Sequence, residues 1–236
     1  MVKLLFFVSL FLITESIAGQ SLPVDSLRMD YNQMYGLDML LYNGKKYFSE
    51  INPVQGHPFW GSTNDFKGDI YLNGKVFRNC RLKYNLVTQQ FILSYTDSKT
   101  KEEHHPIILV GAFIDSIRTD HILFVRNQYP EIPQAYVQEI YSRKVSCFLS
   151  LYKEVFEKIK DYDIRKAISE EKKEYFIKVP SGVYPFQNTR TFLKIFPKQQ
   201  QKSIKKYISS NKLSLKNIDD WNLKKLVIYC EKVLDE

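Results

Sequence analysis

The feature that most constrains this chain is a run of short strand candidates joined by turns too short to hold a crossover. The clearest pair lies at residues 68–84. Asp69-Ile70-Tyr71-Leu72 leads into Asn73-Gly74, and Lys75-Val76-Phe77 begins the return. Asn-Gly accepts the positive φ angles of a type I′ turn, whose twist suits a two-residue hairpin. On the return strand Cys80, Leu82 and Tyr84 alternate with Asn79, Arg81 and Lys83, the period-2 pattern of a half-buried strand. Further candidates lie at 45–51 (after Asn43-Gly44), 90–95, 106–110, 113–117, 121–126, 136–141, 145–152 and 174–179. A loop at 53–65 is marked by Pro53, Gly56, Pro58 and Gly61. Parallel neighbours need long crossovers, so this spacing predicts antiparallel pairing.

Helix takes over near Asn188. A short segment at 190–196 is ended by Pro197, and a second follows at 198–209. In the last helix, capped by Asp219 or Asn217, the residues Leu223, Leu226, Val227, Cys230, Val233 and Leu234 form one apolar stripe. The expected fold is α+β: an antiparallel β-meander or half-open barrel with a C-terminal helical pair packed on it. The charged segment 153–172 fits either a solvated helix or a mobile insertion.

Residues 1–18 read as a cleavable export signal. Lys3 is followed by an apolar run at 4–13, with Ser16 and Ala18 as small residues before a cut at Gly19. The run is too short for a bilayer span of roughly 20 residues. The mature chain, 19–236, then reads as one domain, β-rich over 43–186 with a helical tail over 187–236. No transmembrane segment is expected after cleavage, and the address is the periplasm, the cell envelope or the exterior. Cys80, Cys147 and Cys230 are too few for a disulfide scaffold and sit at apolar-face positions, which suits buried thiols.

Charge is uneven along the chain. Residues 19–142 hold 12 Lys/Arg against 13 Asp/Glu, whereas residues 143–236 hold 21 against 12. The basic character therefore belongs to the tail. Lys198, Lys202, Lys205 and Lys206 follow helical spacing onto one face, opposite Ile204, Tyr207 and Ile208. Such a face suits an anionic membrane surface or an envelope polymer. An exported chain without a recognition motif is not expected to bind nucleic acid.

Catalytic signatures are missing from the sequence. It has no G-x-S-x-G, H-E-x-x-H, Walker-type G-K-[ST], G-x-G-x-x-G or C-x-x-C. Glu102-Glu103-His104-His105 is the densest group of metal-ligand types. Neighbours on a strand point to opposite faces, so the group reads as a polar turn, and neither metal nor cofactor is implied. His57-Pro58-Phe59-Trp60-Gly61 places an imidazole beside two aromatics in a loop. His57, Phe59 and Trp60 are the candidate ligand contacts, Trp60 for stacking and His57 for hydrogen bonding.

The segment Gly68-Asp-Ile-Tyr-Leu-Asn-Gly-Lys-Val-Phe-Arg-Asn-Cys-Arg-Leu-Lys-Tyr84 resembles a pattern recurring in secreted and envelope proteins of Bacteroidota. The pattern is "G-x-ψ-x-ψ-x-G-x-x-Y-x-N-x-x-L-x-Y", with Phe77 here at the usual Tyr and Asn85 where Asp often follows. The closing stretch, from Phe192-Leu-Lys-Ile-Phe through Ile204-Lys-Lys-Tyr to Leu226-Val-Ile-Tyr-Cys, resembles their basic helical tail. The resemblance implies an export address and a β-rich front, and no activity. The function expected from the sequence is non-catalytic binding of a partner, ligand or anionic surface. The rival expectation is a small extracytoplasmic hydrolase using His57, His121 or Asp115.

Overall fold

The computed structural model describes residues 38–49, 55–96, 104–160 and 163–235, which all fall in one compact unit, Leu37–Glu236. The export signal at 1–18, part of the 53–65 loop, and Glu102 and Glu103 lie outside the described residues. Asn73 (φ 49°) and Gly74 (φ 77°) both take the left-handed conformation, as a type I′ turn requires. They join β2 (Phe66–Leu72) to β3 (Lys75–Asn85).

The β2–β3 pair carries a bulge. Gly68 pairs with Cys80 but Ile70 pairs with Phe77, so one more residue is present on β3 than on β2. Asn79 takes φ 53°, and its amide donates to Asp69 Oδ1 at 2.9 Å. The bulge lets Phe77 and Leu82 both face the core although five positions separate them. Cys80 is left half-buried, whereas Cys147 and Cys230 are fully buried, and all three are free thiols.

The remaining strands are β1 (Lys45–Lys46), β4 (Gln90–Ser94), β5 (Ile107–Ile108), β6 (Ile114–Arg118), β7 (Leu123–Arg126), β8 (Tyr136–Ser142), β9 (Ser146–Tyr152), β10 (Val155–Lys160), β11 (Asp163–Ile168), β12 (Lys172–Val179) and β13 (Gly182–Phe186). Eleven of the thirteen strands described form a single sheet in the order β1-β5-β4-β3-β2-β6-β7-β8-β9-β12-β13, antiparallel at every step among the described residues. Gly44 at the β1 edge has no room for a side chain, since a Cβ there would sit 1.9 Å from the Ile108 carbonyl oxygen.

The sheet curls without closing. Five strand spacings separate β4 from β8, about 24 Å if the sheet were flat. Yet the rings of Phe91 on β4 and Tyr136 on β8 lie 5.0 Å apart, and Phe91 lies 5.8 Å from Phe124 on β7. Tyr84 stacks on Phe91 at 4.2 Å and completes this aromatic knot. At one end the β3–β4 turn reaches across to β9: Gln89 Nε2 donates to the Leu151 carbonyl, and the Lys153 amide donates to that of Leu86. The result is a half-open barrel whose edges, β1 and β13, are not paired with each other among the described residues.

Three helices follow among the described residues: α1 (Thr189–Lys194), α2 (Lys198–Ser210) and α3 (Asp220–Asp235). Asn188 caps α1 through the Thr191 amide, with Thr191 returning the bond in a capping box. Asp219 caps α3, its Oδ1 accepting from the Asn222 amide at 2.9 Å. Leu223, Leu226, Val227, Cys230 and Val233 are buried, against β8 and β9 on one side and α2 on the other. The fold is α+β, a mostly antiparallel open sheet with the C-terminal helices packed on it. The opposite face of the sheet has a smaller apolar cluster of Ile132, Val137, Phe148, Phe176 and Val183.

Segment 153–172 is neither a solvated helix nor an unstructured insertion. Val155–Lys160 and Asp163–Ile168 pair as an antiparallel ribbon outside the main sheet. Val155, Phe156 and Ile159 are exposed on it. Among the described residues Gln55 bridges its outer edge at Ala167, and a two-stranded ribbon with so little packed on it carries no clear in-and-out alternation to read.

Candidate functional site

Lys153 organises the 55–60 loop. Its ammonium is buried and donates to the carbonyl oxygens of His57 (2.9 Å) and Phe59 (3.1 Å). The loop is also laced to β3: the Trp60 amide donates to the Tyr84 carbonyl, the Leu86 amide to that of Pro58, and Phe59 bridges Asn85. Extended backbone sends neighbouring side chains to opposite faces, and here it separates the three predicted contacts. Phe59 packs among Tyr47, His57 and the Lys83 ammonium. Trp60 turns inward onto Phe66 (5.1 Å) and Phe124 (5.3 Å). His57 Nδ1 accepts from the Phe59 amide at 3.2 Å. Burial and the neighbouring Lys153 charge hold its imidazole below the ordinary value of 6.5, against an opposing pull from Glu170.

Trp60 lines a cavity of about 570 Å³ between the curled sheet and the start of α3. Leu149 and Leu151 of β9 form an apolar floor with Ile218. Tyr175 of β12 forms a wall, its hydroxyl donating to the Ile218 carbonyl at 3.4 Å. Trp221, the first full turn of α3, stands exposed at the rim. The chain has two tryptophans, and both line this space.

Its polar groups are few and defined. Gln138 on β8 is 5% exposed, and its Nε2 donates to Asp220 Oδ2 at 2.5 Å. That bond fixes the amide orientation, because a carboxylate accepts only. Asp219 uses both oxygens on Asn222, which holds its carboxyl below the usual aspartate range despite some opposing burial. Glu171 faces Lys173 at 3.7 Å.

The predicted lysines lie on another part of the surface. Lys198, Lys202, Lys205 and Lys206 are all exposed on α2, while Ile204 and Ile208 are buried beneath them. No acidic side chain pairs with any of the four among the described residues. The hydrolase candidates stay apart. Asp115 Oδ2 accepts from the Gly74 amide at the β2–β3 turn, and His121 is exposed in the β6–β7 turn. No hydrogen bond joins His57, Asp115 and His121 among the described residues. His104 stacks on Tyr95 at 4.9 Å, and His105 lies 6.3 Å from Phe48.

Sequence reasoning singled out Trp60 and missed Gln138, Tyr175, Asp220 and Trp221. Gln138 offered one signal, a polar residue at an inward position of a strand between Tyr136 and Ile140. No family model matches this sequence, and no curated protein or solved structure is detectably similar to it.

Proposed function

We propose that this is an exported, non-catalytic envelope protein that binds a small ligand in the cavity beneath Trp60 and Trp221. The observation that carries the reading is the cavity itself. An apolar floor, aromatic walls and a fixed Gln138–Asp220 pair occupy one concave space between sheet and helix, the composition of a small-molecule site. The export reading of residues 1–18 and the resemblance of the hairpin and tail to Bacteroidota envelope proteins support the address.

Native mass spectrometry of the mature chain mixed with a small-molecule extract of envelope tests this reading. A retained species that is lost on Leu149→Trp, which fills the floor, is the expected result. Retention unchanged by Leu149→Trp and by the rim variant Trp221→Ala removes the cavity from the function.

A second reading has its own observation, the exposed lysine face of α2, which has no acidic partner among the described residues. Each lysine near an anionic surface contributes about 1 kcal/mol of attraction, screened by salt. Sedimentation with phosphatidylglycerol vesicles at low salt, lost at high salt, is expected. Salt-independent or absent sedimentation overturns it.

A further inference from the structure

We infer that β10 is the seam of a two-fold dimer, its outer edge pairing antiparallel with β10 of a second copy of this chain. Backbone groups along an antiparallel strand point alternately to one neighbour and the other, and the ribbon's own bonds fix that alternation. The Ser169 amide donates to the Glu154 carbonyl at 2.9 Å, and the register continues as Val155 with Ile168 and Phe156 with Ala167. The even-numbered residues of β10 therefore turn their groups toward β11. Those of Val155, Glu157 and Ile159 point outward. By the same count Lys166 and Ile168 of β11 point outward, and Gln55 takes them both: its carbonyl accepts from the Ile168 amide at 2.9 Å and its amide donates to the Lys166 carbonyl at 3.2 Å. The β10 edge has no such partner among the described residues.

This edge also carries exposed apolar side chains, Val155, Phe156 and Ile159, the last of them 76% exposed. An unpaired strand edge of that composition is a template for another strand, and its register suits a second copy. A two-fold axis at Glu157 sets Val155 against Ile159 on both sides of it and uses all three outward residues in hydrogen-bonded pairs. Moving the axis to Lys158 leaves Val155 opposite position 161, beyond the end of β10. Moving it to Phe156 sets Ile159 against Lys153, which is buried and bonded to the 55–60 loop. In the Glu157 register Phe156 faces Lys158 of the second copy, and the Glu154 position faces Lys160. The two Glu157 residues meet at the axis, each with Lys166 as its partner on the other side. The row across four strands then reads Lys-Glu-Glu-Lys and is neutral, although its central pair repels.

Six residues a side make a small interface, so the dimer belongs to the weak, concentration-dependent class. Sedimentation velocity of the mature chain from about 1 μM to about 1 mM is expected to show the mass rising from one chain toward two and no further. Ile159→Lys sets a charge against Val155 twice and is expected to weaken association at least about tenfold. Met39→Lys adds the same charge at an equally exposed position, beside the Lys75–Asp38 ion pair at the β2–β3 turn, and should dimerise like the parent. Glu157→Gln removes the repulsion at the axis and is expected to tighten the dimer up to about fivefold, although it makes the chain more basic. The ribbon lies outside the main sheet, so an unchanged urea midpoint is expected in all three variants.

A single-chain mass over the whole range overturns the inference. So does growth beyond two chains, or a dimer that Ile159→Lys leaves intact. A dimer that Glu157→Gln fails to tighten overturns the register about Glu157.

Discussion

Helices α2 and α3 are neighbours in sequence and in space, yet they are held in different ways. Ile204 and Ile208 seat α2 from below, and Tyr207 stacks on Tyr229 of α3 at 4.2 Å. Helix α3 buries its own stripe and is also bonded to the sheet along its length. Asp220 takes Gln138, Glu231 takes the Tyr141 hydroxyl (2.6 Å) and the Val145 amide (3.0 Å), and Asp235 pairs with Lys144. Apolar contact is non-directional and tolerates sliding. Directional bonds from a helix to a strand set the helix's position along it. Helix α3 therefore shapes a cavity at its start, while α2 is free to present its outer face.

Leu226→Ala gives the largest expected effect. The residue is fully buried in α3, and the lost contacts and cavity cost about 2–5 kcal/mol in urea unfolding. Ile204→Ala, equally buried in α2, falls in the same range. The two separate in native tryptophan emission, which shifts for Leu226→Ala and stays put for Ile204→Ala. Equal shifts would break the distinction between a positioning helix and a covering one.

Lys153→Met comes next. It leaves the His57 and Phe59 carbonyls without their buried donor, at about 1–3 kcal/mol. Removing the charge also lets the His57 imidazole titrate closer to 6.5. In the native chain its lowered value means that stability rises with pH through that interval and is lost below the folded pKa. An NMR titration of the His57 ring that does not move in the variant contradicts this.

Glu231 tests the directional bonds. Partial burial pushes its carboxyl up, but the Tyr141 hydroxyl, the Val145 and Lys144 amides and the Arg143 charge outweigh it, and the net shift is downward from 4.5. A depressed folded value contributes stability present above the unfolded pKa and lost as pH falls through the folded one. Glu231→Gln is expected to flatten the urea midpoint between pH 5 and about 3, with a loss of about 1 kcal/mol at neutral pH. An unchanged acid slope would assign that slope to other carboxylates.

The smallest effect on stability belongs to Lys202→Glu, Lys205→Glu and Lys206→Glu together. These are exposed positions without acidic partners, so the triple variant stays within about 0.5 kcal/mol of the parent. It should nonetheless lose salt-sensitive sedimentation with anionic vesicles. A loss of several kcal/mol would show that the face packs against something.

Legibility followed the range of the interactions. The Asn73-Gly74 turn, the apolar stripe of α3 and the lysine face of α2 are local patterns with periods of two or 3.6 residues, and each could be read directly. Strand β13 follows the two-residue Pro180-Ser181 turn and opens on Gly182 at φ 140°, and Pro185 interrupts the alternation that would mark it in the sequence. The aromatic loop was recognised, but strand alternation divides Phe59 from Trp60. The cavity was not legible, since its lining comes from positions 60, 122, 138, 149, 151, 171, 173, 175 and 218–221.

By itself, then, the sequence determined an antiparallel sheet followed by amphipathic helices, because short turns and hydrophobic periods act between near neighbours. The tertiary structure alone decided how far the sheet curls, where α3 is pinned and which polar groups meet beside Trp60. Those outcomes depend on packing between residues tens of positions apart, such as Phe91 against Tyr136 and Gln138 against Asp220. No local period encodes such pairings.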